Sequence, residues 1–371
     1  MVRLFFAGDF CSKLSPSFIS VSEELKSVIR SCDIKSVNFE IPLDPHIELP
    51  SQRWERFSQH DEVPAFLKNL GFNLFPIANN HTFDWGNTGY EKTKNALGDD
   101  CFGAGTYDDA YQVKVVESNG VKVGFLALTY AAYTGVFDDV ENHEGLGCAY
   151  INDLKVNHMI IEAKHLVDYL FVLAHDGIEY IDAPTPETIA RYRDFIDYGA
   201  DGVIGAHPHC PQGWEEYKGK PIFYSLGNFF FNSKDDTSYR ANRPHWYEGL
   251  CVVMTIENDV ISYEIVNTRN VENEKLIVDT DVSRTEHNRK ICSYLHDHGA
   301  YQQYMESVAR KLDLMSVIDA TVHPNSLKKT IKALLRCIQI KIKGGVVDDF
   351  AIRTLLRNDT RRSVLMRTLK K

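Results

Sequence analysis

Gly205-Ala206-His207-Pro208-His209 comes directly after the segment Ala200 to Ile204, which has the length and apolar character of a buried strand. The two imidazoles stand at positions i and i+2 of a turn that contains Gly and Pro, so both leave the strand end together. Such a turn presents two nitrogen ligands to a metal ion without the spacing of a helix. This stretch predicts half of a metal site, and the other half has to come from elsewhere in the chain.

Polar side chains also follow four other strand-like runs. They are Asp9 after Leu4 to Ala7, Asn38 and Glu40 after Ile34 to Val37, Asn79 to His81 after Leu74 to Ala78, and His175 and Asp176 after Tyr169 to Ala174. Side chains at the carboxyl ends of neighbouring strands converge on one crevice in an α/β sheet. We therefore expect a divalent metal site there, and mixed oxygen and imidazole donors suit Zn, Mn or Fe better than Mg or Ca.

The motifs around these residues carry a family resemblance over about residues 3 to 232. They are Gly8-Asp9, Val37 to Leu43, Ala78 to His81 with Asp84, Gly86 and Gly89, His175 to Tyr180, Gly199 to Gly213, and Tyr224-Ser225-Leu226-Gly227-Asn228-Phe229. Together they resemble the bacterial capsule-synthesis CapA (poly-γ-glutamate synthesis) family. The resemblance implies an α/β fold of the calcineurin-like metallophosphoesterase type, a four-layer αββα sandwich with metals at the strand ends.

The resemblance also implies a ligand set for one or two divalent metal ions. In metallophosphoesterases the matching positions hold two metals, and here they are Asp9, Glu40, Asn80, His175, His207 and His209. Two positions depart from the general pattern. The first strand has Asp9-Phe10-Cys11 in place of Asp-x-His, and the bridging acid is a Glu in place of an Asp. One tightly held metal is therefore the safer expectation, with His207 the surer ligand of the histidine pair.

The catalytic groups are expected beside this ligand set. His81 follows Asn80 directly, so it can point at the same substrate as a general acid for the leaving group. Asp84 either orients an imidazole or caps the following helix.

Three further residues are expected to contact the substrate. They are Asn38, Asp176 and Asn228. Each has an alternative role: Asn38 faces the metal in place of Glu40, Asp176 orients an imidazole, and Asn228 braces the ligand loops.

The size of the chain predicts one large domain with an appendage. With 371 residues and 44% hydrophobic content it can bury a full core. We predict a catalytic domain over residues 1–283 and a helical, C-terminally basic extension over 284–371. The net charge of −10 argues against general nucleic-acid binding. The expected substrate of a phosphoesterase linked to a surface polymer is an anionic small molecule or polymer.

Positive charge is concentrated at the C-terminal end of the sequence. Residues 324–371 carry 13 Lys and Arg against 3 Asp, and residues 326–343 have apolar side chains at helical spacing. Such a basic amphipathic helix can lie on a membrane surface or contact a protein partner. The alternative is a solvated helix packed on the acidic body of the same protein.

The N-terminal sequence and the cysteines indicate a cytoplasmic location. Met1-Val2-Arg3 leads into four apolar residues before Gly8-Asp9, which is not the pattern of a signal peptide. No run approaches the roughly 18 to 20 apolar residues that span a bilayer. The 8 cysteines show neither CxxC motifs nor a paired framework, so we expect reduced thiols.

Two functions fit these observations. The first is a metal-dependent hydrolase, most simply a phosphoesterase, linked to capsule or poly-γ-glutamate surface-polymer metabolism. The alternative is a non-catalytic, metal-containing accessory protein that binds an anionic polymer or a synthase partner. The enzyme is favoured because a binding protein has no need of His81 beside the ligands.

Overall fold

The central strand of the structure is β1 (Val2–Ser12), and all its residues except Arg3 are buried. The computed structural model describes residues 1–48, 56–131, 135–137, 143–232 and 243–311. One edge of β1 pairs in parallel with β3 (Ile34–Phe39). The other edge pairs antiparallel with β15 (Glu248–Glu257) and then in parallel with β14 (Asn228–Asn232). A strand paired on both edges and covered on both faces requires the near-continuous apolar sequence that β1 has.

Two large sheets account for most of the strands in the described residues. The first contains β14, β1, β15, β16 (Val260–Val271), β17 (Lys275–Val278) and β2 (Ser20–Val21), with β3 beside β1. The second has the order β12 (Trp214–Tyr217), β13 (Lys220–Phe223), β11 (Gly202–Ala206), β10 (Tyr169–His175), β8 (Val121–Thr129) and β7 (Lys114–Ser118). Two short pairs join β4 (Phe75–Pro76) to β5 (Cys101–Phe102) and β6 (Ala104–Gly105) to β9 (Gly147–Cys148).

Side-chain caps start some of the helices. Ser22 accepts a hydrogen bond from the backbone of Leu25 at the start of α1, and Thr185 does the same for Thr188 at the start of α6, where Pro186 fills the first position. The described helices are α1 (Glu23–Arg30), α2 (Val63–Leu70), α3 (Gly86–Leu97), α4 (Tyr107–Ala110), α5 (Lys155–Ala163), α6 (Pro186–Asp197), α7 (Val282–His296) and α8 (His298–Lys311), with 3-10 turns at Pro16–Phe18 and Gly98–Asp100.

The two large sheets pack against each other through aromatic side chains. Phe6 of β1 lies 6.4 Å from Phe125 and 5.7 Å from Phe171, measured between ring centroids, and both partners belong to the second sheet. Helix α1 contacts β17 of the first sheet, while α6 contacts β11 and β13 of the second. The α/β fold class is therefore confirmed, while the four-layer arrangement as a whole stays a prediction.

The chain crosses from the second sheet to the first between β13 and β14. The sequence predicts a strand over residues 221–231 and a turn at Gly227-Asn228; the turn is present at Gly227, but the prediction of a single strand is wrong. The strand stops at Phe223, the chain turns through Gly227 at φ 67°, and Asn228 opens a new strand beside β1. This crossing places Asn228 at the same edge of the first sheet as Asp9.

The chain divides into two compact units, one formed by Met1–Tyr130 and Thr134–His296 and the other by Ala131–Tyr133 and Asp297–Lys371. The helix described in the second unit is α8. The division at residue 283 stays a prediction, and the basic amphipathic helix of residues 326–343 lies outside the described residues. Within the described part of the chain, no helix has the length and apolar character needed to cross a membrane.

Candidate metal centre

The predicted site residues meet at the carboxyl ends of the parallel strands. Asp9 of β1 stands in register between Asn38 of β3 and Asn228 of β14. In the second sheet, His175 ends β10 beside Ala206 of β11, and His207 follows directly. Since parallel strands bring their carboxyl ends to one edge, both sheets deliver their polar side chains to the same place.

The Asp9 carboxylate connects the two sheets. Its Oδ1 atom accepts a hydrogen bond of 2.6 Å from the Asn38 side-chain amide, and its Oδ2 atom accepts one of 3.0 Å from the backbone N–H of His207. Asp9 is fully buried, and burial raises the pKa of its carboxyl group although His209 and the Asn38 hydrogen bond act to lower it. A buried acid in this position is stabilised by a neighbouring cation.

Glu40 is a buried acid without a hydrogen-bond partner. It is fully inaccessible to solvent, and neither of its carboxylate oxygens accepts a hydrogen bond within the described residues. The Nε2 atoms of His209 and His175 lie 3.4 Å and 3.9 Å from its Oε1 atom. Burial, followed by the nearby charges of Asp9 and Glu179, raises the pKa of Glu40 well above its usual value. An unpaired buried carboxylate is costly, which makes a bound cation its natural partner.

His175 is held between two amides. Its Nδ1 atom lies 3.1 Å from the Asn38 amide nitrogen, and its Nε2 atom lies 2.8 Å from Oδ1 of Asn80. Burial, with His207 as the next contribution, lowers the pKa of His175 well below the usual range. The ring is therefore neutral at pH 7, which is the form that binds metal ions.

The His207-Pro208-His209 turn has an unusual backbone. His207 and His209 have φ angles of 99° and 54°, in the region that residues other than glycine rarely adopt. The side chain of Asn228 fixes the second ring, because its Oδ1 atom lies 2.9 Å from Nδ1 of His209 while its amide nitrogen donates to the Trp246 carbonyl. This contact leaves Nε2 of His209 facing Glu40. Backbone strain of this kind is characteristic of functional sites.

These side chains form two groups that fit divalent metal ions. One group is Glu40, His175 and His207, and the other is Asp9, Glu40 and His209, with the ligand atoms of each group within 4.8 Å of one another. Glu40 belongs to both groups, as a bridging ligand would. Nitrogen and oxygen donors in this mixture suit Zn, Mn or Fe. The structure brings all six expected ligands together, and their binding of metal stays a prediction.

His81 and Asp84 form a hydrogen-bonded pair beside these groups. Nδ1 of His81 lies 2.8 Å from Oδ2 of Asp84, and the His81 side chain is 14% exposed. Burial acts to lower the pKa of His81, but the charge and hydrogen bond of Asp84 outweigh it and raise the pKa. Asp84 also accepts a hydrogen bond from the backbone of Phe57, whose ring contacts His81 edge-on. Asp84 thus holds the His81 ring in place, which is one of its two expected roles.

The other expected substrate contacts have structural partners. Asp176 accepts a hydrogen bond of 3.0 Å from the Thr188 hydroxyl of α6, and Asn228 braces His209. Asn38 bonds to both Asp9 and His175. A substrate contact by any of the three stays a prediction.

Two aromatic residues wall the site: the sequence predicts that Tyr180 either lines the pocket or has a structural role, and it does not identify Trp246. The Trp246 ring lies 5.1 Å from the His209 ring, measured between centroids. The Tyr180 ring stacks on His209 at 6.0 Å and lies tilted to Trp246 at 6.0 Å. Cys11, which stands where the general pattern has a histidine, is buried in an apolar cluster with Ile41, Phe231 and Trp246. Trp246 is far from the ligand motifs in sequence, so no local signal identifies it.

Comparison with known proteins gives a family match over most of the first compact unit. A model described as bacterial capsule synthesis protein matches residues 3–233. The capsule biosynthesis protein CapA of Bacillus anthracis is 31% identical over 223 residues, covering 57% of this chain and 54% of the relative. The PGA biosynthesis protein CapA of Bacillus subtilis is 32% identical over 220 residues, covering 57% of each chain.

The matches also have clear limits. The chain spans about half the length of the curated relatives that it matches. Among solved structures, a novel phosphatase from Mycoplasma pneumoniae aligns with a TM-score of 0.42 and 16% identity, over 72% of this chain and 92% of that one. A structural match of this size does not assign an activity.

Proposed function

Since the chain belongs to the bacterial capsule synthesis protein family, we propose that it is a metal-dependent hydrolase, most simply a phosphoesterase, that acts in the metabolism of a capsule or poly-γ-glutamate type surface polymer. The polymer class comes from the names of the relatives, which are a capsule biosynthesis protein and a PGA biosynthesis protein. The reaction class comes from the side chains at the strand ends.

The buried Glu40 carboxylate is the observation that carries the proposal. It lies within 3.9 Å of two imidazole nitrogens and has no hydrogen-bond partner in the described part of the chain. A charged carboxylate that is buried without a partner costs on the order of several kcal/mol. A binding protein without metal would gain stability from an apolar residue at this position.

The metal ion and the protein side chains would have different roles in the reaction. A bound divalent metal supplies an activated water and polarises a phosphoryl oxygen, so no covalent nucleophile is required. The side chains that would hold it are Asp9, Glu40, Asn80, His175, His207 and His209. The chain itself would supply the proton for the leaving group from His81, and Asp84 raises the pKa of this imidazole and orients the ring.

Two cationic side chains favour an anionic substrate. The Lys13 ammonium lies 4.8 Å from the centre of the Phe57 ring, which contacts His81. The Arg243 guanidinium lies 4.1 Å from the centre of the Tyr180 ring, which stacks on His209. Each positive charge thus contacts an aromatic ring that in turn contacts a histidine of the site, although the whole chain carries a net charge of −10. These cations attract an anion to the strand ends.

The test is metal analysis combined with turnover of an aryl phosphate monoester and diester. We expect the wild-type protein to contain a transition metal and to hydrolyse at least one of the two esters. His207→Ala should lose the metal of the strand-end site and the activity together. His81→Ala should keep the metal and lose about 100-fold or more in kcat, the usual contribution of a general acid.

His158→Ala is the matched control, because His158 is exposed on α5 and remote in sequence from every motif of the site. It should leave metal content and turnover unchanged. A wild-type protein that holds metal but hydrolyses neither ester, with His81→Ala indistinguishable from it in binding an anionic polymer, would favour the accessory protein. A wild-type protein without any transition metal would rule out the hydrolase.

A further inference from the structure

Three side chains from separate segments meet outside the strand-end site. Asp182 lies between β10 and α6, His245 precedes β15, and His287 lies on α7. One ligand atom of each lies within 4.8 Å of the other two. None of the three belongs to the groups around Glu40. We propose that Asp182, His245 and His287 form a separate site for a divalent transition metal ion of the Zn²⁺ type.

His245 has the second hydrogen bond that metal-binding histidines normally have. Its Nδ1 atom lies 2.8 Å from Oε2 of Glu248, a carboxylate that also accepts a hydrogen bond from the Arg284 guanidinium. With the proton on Nδ1, the lone pair of His245 is on Nε2. A carboxylate that fixes the tautomer in this way is the usual outer partner of a metal-bound imidazole.

His287 supplies a buried nitrogen that needs a partner. Its Nε2 atom is inaccessible to solvent and makes no hydrogen bond within the described residues. The ring stacks on His245 with 3.9 Å between centroids and 20° between planes. Burial, together with His245 and Arg284, lowers the pKa of His287 to about 4, so the ring is neutral at pH 7. The buried Nε2 atom of this neutral ring is therefore available to bind a metal ion.

The donor set selects the kind of ion. Two imidazoles and one carboxylate are the ligands of Zn²⁺ sites that complete their tetrahedron with water, at metal–ligand distances of about 2.0–2.2 Å. All-oxygen coordination, which Ca²⁺ and Mg²⁺ prefer, is not available from two histidines. Because imidazole lone pairs lie in the ring plane, binding of one ion would require the His245 and His287 rings to tilt out of their stacked arrangement.

The cluster is joined to the strand-end site through two aromatic residues. Asp182 lies two positions after Tyr180, and His245 directly precedes Trp246. Both aromatic rings contact the His209 ring. A metal at the cluster would therefore tie α7 to the two loops that wall in His209. Without metal, the contact between α7 and the His245 loop would be the stacking of His287 on His245.

The metal content of the protein shows whether the Asp182, His245 and His287 cluster binds an ion. The full-length protein should be stripped with chelator, dialysed against Zn²⁺, and analysed for bound equivalents, with Co²⁺ absorption as a second readout. We expect His287→Gln and Asp182→Asn each to bind one equivalent less than wild type. His207→Ala should keep the equivalent of the cluster, and the His207→Ala/His287→Gln double variant should lose both.

His296→Ala is the control on the same helix and should match wild type, because His296 is exposed at the end of α7. If one of the two cluster variants fails to fold, the other still shows whether one equivalent of Zn²⁺ is lost. Unchanged Zn²⁺ equivalents and Co²⁺ spectra in His287→Gln and Asp182→Asn would overturn the proposal. A wild type that binds one equivalent, lost in His287→Gln and kept in His207→Ala, would support this site even if the hydrolase function were wrong.

Discussion

At the scale of single residues, Glu40 is the side chain that most directly indicates a cation-binding site. Its neighbours Asp9 and His175 have amide hydrogen bonds, but the Glu40 oxygens have none within the described residues. The cost of this burial is present whenever the metal is absent. The same carboxylate therefore destabilises the metal-free protein and stabilises the loaded one.

Glu40→Gln should have opposite effects in these two states. In the presence of chelator, the neutral amide should raise the melting temperature, with a gain of roughly 1–3 kcal/mol in the free energy of unfolding. With Mn²⁺ or Zn²⁺ in excess, wild type should become the more stable protein, because the strand-end site binds metal more tightly in wild type than in the variant. Thermal unfolding with and without metal measures both effects.

Glu24→Gln on the exposed face of α1 serves as the control and should change neither melting temperature appreciably. A chelated Glu40→Gln protein that melts below chelated wild type would show that the Glu40 charge is satisfied without metal.

The sequence allowed the ligand set to be predicted because each ligand lies next to a strand end and in a family motif. It did not reveal Trp246 or the Asp182, His245 and His287 cluster. Those residues come together only through the packing of α7 and two loops, and isolated histidines carry no pattern. His245 and Glu248 at i and i+3 are the one local signal that links part of the cluster.

At the scale of elements, an ion pair fixes α6 to the second sheet. Arg193 of α6 donates two hydrogen bonds, of 2.8 Å and 2.7 Å, to Glu215 of β12. The Tyr224 hydroxyl adds a third bond of 2.6 Å to the same carboxylate. Burial acts to raise the pKa of Glu215, but the bonds from Arg193 and Tyr224 outweigh it and lower the pKa.

The contribution of Glu215 to stability should therefore depend on pH. Because its pKa is lower in the folded state, the stabilisation is complete above the unfolded value of about 4.3 and is lost as the pH falls through the folded value. Glu215→Gln should cost roughly 1–3 kcal/mol at pH 7. This difference from wild type should shrink in acid, as measured by urea unfolding across the pH range.

Glu216→Gln is the matched control, since Glu216 is the next residue of β12 and is exposed. It should behave as wild type at every pH. A Glu215→Gln deficit that stays constant down to pH 3 would mean that packing, not charge, provides the stabilisation.

The elements themselves were predicted to different degrees. The helix at Val63–Leu70 and the hairpin of β7 and β8 follow from apolar spacing and a Ser118-Asn119-Gly120 turn. The strand expected over residues 74–78 is reduced to Phe75–Pro76. The crossing between β13 and β14 was not predicted, because an apolar run does not indicate in which sheet each half will pair.

At the scale of the whole molecule, the strand-end site joins the two sheets. Asp9 and Glu40 come from the first sheet and its following turn, while His175, His207 and His209 come from the second. A metal bound by both sets is a cross-link between sheets whose other contacts are largely apolar, such as Phe6 with Phe171. Metal binding should therefore stabilise the first compact unit as a whole.

Metal removal should lower the melting temperature, and returning the metal should restore it. At a free metal concentration 100 times the dissociation constant, one site contributes about 2.7 kcal/mol. Hydrogen exchange should quicken on chelation in β1 and in β10 together, because the cross-link acts on both sheets. Chelation that leaves the exchange of β1 unchanged, or that affects His207→Ala as much as wild type, would contradict this.

The pairing of β1 has a consequence for the order in which the protein is made. The central strand leaves the ribosome long before its β15 partner, because Val2 pairs with Ile256. At about 5–20 residues per second, that partner follows on the order of 10–50 s later. Until then one edge of an apolar strand is open to wrong pairings and to chaperones. The length of this wait, more than final stability, should decide how much of the protein a cell recovers intact.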